Sequence, residues 1–160
     1  LKACSAMRGS DIVQLLHACT VAKRRPRRLL ERLAKEVPER LPQLGTDGLC
    51  VCLHAYAKVR VREAKLFAAV TRRLLSPELK AELATPHLAS LLYSHARCQL
   101  SDKGLLAAAR SRLAKGADTV AAEDLATMLQ AFAALREDDP APLAACANAA
   151  AWRAEHHPLP

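Results

Sequence analysis

A nine-residue string recurs along the chain at a nearly fixed interval, and a period of this length constrains the fold more than any single motif could. Leu49-Cys50-Val51-Cys52-Leu53-His54-Ala55-Tyr56-Ala57 has cognates starting at Leu88 and Leu125, and a weaker one at Ile12. The intervals are 37, 39 and 37 residues. A second apolar anchor follows 17 residues on, at Leu29, Leu66 and Leu105, and 18 residues on at Leu143. Within the string, offsets 0, +4 and +8 share one face of a helix. Large residues at 0 and +4 supply buried area, and small residues at +6 and +8 let a neighbouring helix come close.

Each unit therefore predicts two helices, A and then B. Helix A is expected at about 11–22, 47–59, 86–98 and 122–135, and helix B at about 26–37, 62–75, 102–115 and 140–153. Ser10, Ser76, Thr85, Ser101 and Asp139 read as N-caps, and Gly116 as a helix end. An extra turn within 77–84 accounts for the longer middle interval. One such helix pair cannot bury its apolar faces, but stacked pairs can. The expected fold is all-α: a single α-solenoid domain of about four helix–turn–helix repeats of 37–39 residues, over 11–47, 48–86, 87–123 and 124–153. Residues 1–10 read as the remnant of a preceding unit and 154–160 as a tail. Leu1 in place of an initiator Met reads as a trimmed or processed chain, with an open N-terminal edge for more repeats or a partner. The pattern leaves open which helix layer is concave.

Composition excludes the competing classes. A hydrophobic fraction of 51% is too high for a disordered chain. The 33 Ala and 27 Leu, with few β-branched residues, argue against an all-β fold. No apolar run approaches the roughly 18 residues of a bilayer span, so no membrane partner is expected. The cysteines at 4, 19, 50, 52, 98 and 146 fall inside helical patterns, as free buried thiols of a reducing compartment do.

The net charge of +8 is unevenly distributed. Residues 1–123 carry +11 and residues 124–160 carry −3. In unit one, Lys23, Arg24, Arg25, Arg27 and Arg28 crowd the turn from A to B. Unit two places Lys58, Arg60, Arg62 and Lys65 there, and unit three Arg97 and Lys103. Unit four has Arg136-Glu137-Asp138-Asp139 instead. A second series lies late in helix B: Arg32 and Lys35, then Arg72 and Arg73, then Arg110 and Arg112. Equivalent turns of a solenoid stack along one edge, so the cations form a stripe. Such a stripe suits the spaced phosphates of a nucleic acid, whose counterions are released on contact. It also suits a merely solvated rim.

The string Leu-Ala-x-x-Leu-x-Ala-x-Ala, best seen at Leu88–Ala96 and Leu125–Ala133, resembles the octotricopeptide repeat and the related heptatricopeptide repeats of organellar proteins. The resemblance covers about residues 11–153. It implies RNA binding in a mitochondrion (matrix) or plastid, in transcript maturation, stability or translation, or within a mitochondrial ribosome. Two features depart from the repeat. His17, His54, Tyr93 and Gln130 stand where a Trp is usual, and Lys23, Arg60, Gln99 and Arg136 stand where a Gly usually ends helix A.

The expected function is therefore RNA binding, most simply to structured RNA such as ribosomal RNA, by Lys23, Arg24, Arg25, Arg27, Arg28, Lys58, Arg60, Arg62, Lys65, Arg72, Arg73, Arg97, Arg110 and Arg112. His17, His54 and Tyr93 occupy one repeat column and are candidates for base or partner contacts. With only five Phe, Trp and Tyr in the chain, stacking is not expected to be the main mode. The alternative is a protein scaffold of a large organellar complex, held through 124–160 and the N-terminal edge. Cys50-x-Cys52-x-His54 invites a zinc reading, but Cys52 leaves the face shared by the other two, so no metal is expected. Neither a phosphate loop, a nucleophile elbow nor an HExxH motif occurs, so no enzyme, cofactor or small-molecule substrate is expected.

Overall fold

A computed structural model describes residues 6–136 and 139–156; Cys4, Glu137, Asp138 and the ends of the expected remnant and tail lie outside the described residues. Helix A of the four units is α1 (Gly9–Val21), α3 (Thr46–Val59), α6 (Thr85–Arg97) and α8 (Ala122–Ala134). Helix B is α2 (Arg27–Arg40), α4 (Ala64–Leu74), α7 (Lys103–Gly116) and α9 (Ala141–His156). The extra turn of unit two is a short helix, α5 (Pro77–Lys80). No strand occurs among the described residues, and the fold is an all-α stack of solenoid-like helix pairs.

The A helices pack side by side in the order α1, α3, α6, α8, through the faces set by the repeat. Ile12, Leu16, Leu49, Leu53, Ala57, Leu88, Leu92 and Leu125 are buried at offsets 0, +4 and +8. Leu129 is only half-buried and Ala133 exposed, because no further A helix covers α8 among the described residues. The +7 column, Cys19, Tyr56, His95 and Phe132, is wholly buried. Tyr56 spans repeats by donating its hydroxyl to the Leu30 carbonyl at 2.7 Å. His95 accepts or donates at both ring nitrogens, to Thr71 Oγ1 and to the Leu100 carbonyl, each at 2.9 Å. The carbonyl can only accept, so Nδ1 carries the proton and Nε2 takes the threonine's.

The B helices are less closely packed on one another, and α5 follows α4 where α4 would otherwise meet α7.

Several caps differ from expectation. Helix α1 starts two residues before Asp11, which at N3 accepts from the Arg8 amide at 3.1 Å, and Ser10 lies inside the helix. Asp102, not Ser101, caps α7, its carboxylate accepting from the Leu105 amide at 2.9 Å. Thr85 is the first residue of α6 after Ala84, whose amide donates to His87 Nδ1. In the first two a carboxylate, a stronger acceptor than a hydroxyl, takes the free amide.

Candidate nucleic-acid interface

All four A helices end in the same backbone device. Lys23, Arg60, Gln99 and Arg136 have φ of 51°, 54°, 52° and 56°, and these are the only non-glycine residues with positive φ among the described residues. The Lys23, Arg60, Gln99 and Arg136 amides donate to the carbonyls of Thr20, Ala57, Ala96 and Ala133. In the first three units the next amide reaches the carbonyl five residues back, at Cys19, Tyr56 and His95. This is a Schellman ending, in which glycine is the usual left-handed residue. Three of the four positions hold a cation instead, at a backbone cost of about 1 kcal/mol each.

The turn cations are open to solvent. Lys23, Arg24, Arg25, Arg27, Arg28, Lys58, Arg60, Arg62, Lys65 and Arg97 are all exposed. Arg27 pairs with Glu31 at 2.8 Å on the surface. Arg62, in the turn of unit two, and Arg97, at the end of α6, act together on the Cys98 thiol, opposing the upward push of its burial. The Cys98 thiol also reaches the Val61 carbonyl at 3.9 Å, so the turns of units two and three are adjacent in space as well as aligned in sequence.

The late helix B series is placed differently. Arg73 pairs with Glu78 at 2.6 Å, and Arg110 with Asp139 at 3.0 Å. Arg112 donates to Thr85 Oγ1 at 2.7 Å, and Arg32 pairs with Glu36 at 2.9 Å. Glu36 also holds the buried Arg40, whose Nε donates to the Met7 carbonyl. Arg72 is exposed and has no ion pair with another described residue. The geometry thus separates two groups that look alike in sequence: cations already engaged within the fold, and cations that are not.

His17, His54, Tyr93 and Gln130 line a series of clefts between successive A helices. One holds His17 and His54, the next His54 and Tyr93, the third Tyr93 and Gln130. His54 is half-buried, and burial and Lys58 push its pKa down. Its ring lies 5.5 Å from that of Tyr93, inclined by 30°. Lys58 Nζ is 5.7 Å and Arg97 Cζ 6.0 Å from the Tyr93 ring centre, within cation–π range. The offset of Lys58 and Arg97 is +9, one turn after +5, a spacing the sequence offered and charge counting by turns passed over.

Cys50 and Cys52 are buried, and burial pushes both thiols up to about 12, so both are neutral. Among the described residues no group of three or more His, Cys, Asp or Glu is placed to hold a metal ion, and no helix is long and apolar enough to cross a membrane.

A search of curated proteins finds no match to the chain. A family profile does match, over residues 2–156, and it is not that of the octotricopeptide repeats. It is described as RNA-editing substrate-binding complex 6 protein, and the chain belongs to that family.

Proposed function

We propose that the chain is a non-catalytic RNA-binding subunit of an organellar RNA-editing substrate-binding assembly, acting in the mitochondrion. The observation that carries this reading is the row of strained helix ends, where Lys23, Arg60 and Arg136 occupy left-handed positions that glycine would fill at lower cost. Such a cost is retained where the side chain serves something other than stability. The cations around those turns are exposed, and among the described residues only Arg27 is paired with an acid, which leaves the others available to phosphates. The family's description favours an editing-substrate RNA over the ribosomal RNA expected from sequence. The test is a salt titration of binding to mitochondrial RNA. A steep log–log slope supports the reading, and a flat one sinks it.

A second reading, a protein scaffold of the same assembly, draws on the far end. Leu143 and Trp152 of α9 are 63% and 44% exposed, in the unit that carries the net negative charge. It predicts co-purification with a protein complex that survives nuclease and high salt.

A further inference from the structure

The clefts along the A layer are equivalent in backbone but not in chemistry. The +5 column reads His17, His54, Tyr93, Gln130, and the +9 column reads Val21, Lys58, Arg97, Ala134. A cation at +9 occurs only in units two and three, and these two cations converge on the one tyrosine of the +5 column. Between α6 and α8 this tyrosine borders a cleft of about 180 Å³, lined also by Arg97, Thr127 and Gln130. Gln130 is exposed, and its amide makes no hydrogen bond to another described residue. An amide carries both donors and acceptors, the combination that reads a base edge.

We propose that Tyr93 is a platform for a single nucleobase of a single-stranded RNA. The base stacks on the tyrosine ring within the α6–α8 cleft, whose lining does not include His54, with its edge toward Gln130, while Lys58 and Arg97 move off the ring to hold the phosphates on either side. The site takes an unpaired base, because a duplex keeps its bases stacked on each other and out of reach of a ring set between two helices. Asp124, which lines the neighbouring cleft with Lys58 and Tyr93, sets the sign of the groups admitted there. Its carboxylate accepts from base amino groups and turns phosphates toward the cationic side. Because the ring and its two cations occur together once, the platform takes one base rather than one per repeat. Phosphate contact at the turns remains the main source of affinity. This proposal rests on the RNA-binding reading and narrows it from structured RNA to a strand with at least one unpaired residue.

The experiment compares binding of the full chain to a single-stranded RNA of about twelve nucleotides and to a duplex of the same length. Tyr93→Leu is expected to lose roughly tenfold on the single strand, the lower part of the range for one stacked base, with the salt slope unchanged and nothing lost on the duplex. Tyr93→Phe should bind as the unaltered protein does. One abasic position at the stacked site should weaken the unaltered protein and leave Tyr93→Leu indifferent. If Tyr93→Leu binds the single strand normally with its salt slope intact, the platform is overturned and RNA binding stands. If the unaltered protein shows no salt-dependent RNA binding, both fall. Should Tyr93→Leu melt early, photocrosslinking the unaltered protein to a thiouridine-bearing strand decides instead: an adduct at Tyr93 supports the platform, and adducts only elsewhere overturn it.

Discussion

The turn cations and the late helix B cations are the same residue types at the same repeat period, yet most of the second group, Arg72 and Lys35 being the exposed exceptions, sit in the opposite environment. At the turns, Arg24, Arg25, Arg60 and Arg62 lie at or just after the left-handed residues Lys23 and Arg60, and none of the four has an ion pair with another described residue. In helix B, Arg73 and Arg110 meet Glu78 and Asp139, and Arg112 meets Thr85. Positive charge in a sequence therefore measures two things at once: the capacity to attract an external anion and the need to satisfy internal ones. Only the first group is available to a polyanion at no structural cost.

Replacing Arg24, Arg25, Arg60 and Arg62 together by Ala tests this difference most strongly. The log–log salt slope for RNA should become shallower by about 3, and affinity at moderate salt should fall on the order of a hundredfold. Thermal melting should stay where it was. An unchanged slope would remove the distinction between the two groups.

A buried residue provides the opposite signature. His95→Ala strands Thr71 Oγ1 and the Leu100 carbonyl in a closed core and should cost about 2–3 kcal/mol in urea unfolding, with the RNA salt slope unaltered. Burial lowers the pKa of His95 against the smaller opposing pulls of the Leu100 carbonyl and Asp102. Below about 6.5 the unfolded chain therefore binds a proton that the folded one refuses. The neutral His95 contributes fully above that pH, and its contribution is lost as the pH falls toward the folded value. Unfolding curves from pH 8 to pH 5 should show this decline, and His95→Ala should flatten it.

Arg60→Gly sharpens the comparison because its two effects have opposite signs. Relief of the left-handed φ should raise stability by about 0.5–1 kcal/mol, while RNA affinity falls a few-fold. A variant that loses stability would mean that Arg60 is held by packing. The smallest effect is expected in helix B: Arg110→Ala should cost less than about 1 kcal/mol and leave the salt slope alone. A slope that drops as far as in a turn variant would show that the pair with Asp139 opens to admit phosphate.

Much of the fold is legible in the one-dimensional pattern. The Leu49, Leu88 and Leu125 strings locate three A helices to within a residue or two, and the 39-residue interval locates α5. Helix caps are less legible, since Ser101 and Asp102 are both good capping residues and only the chain direction into α7 chooses the carboxylate. The basic turns are legible as charge. Their left-handed backbone is legible only through the family resemblance, which expects a glycine where Lys23, Arg60, Gln99 and Arg136 stand, because the residues themselves resemble any other polar residue after a helix.

The sequence by itself determined the repeat, the all-α stack and the concentration of cations in the first three units, because helical periodicity and charge are local properties that each residue carries alone. Only the tertiary structure decided which cations are already neutralised and which layer packs more tightly. It also brought Lys58 and Arg97, 39 positions apart, to one tyrosine ring. Those outcomes depend on which side chains meet across successive repeats, and the distance between two helices is written in neither of them separately.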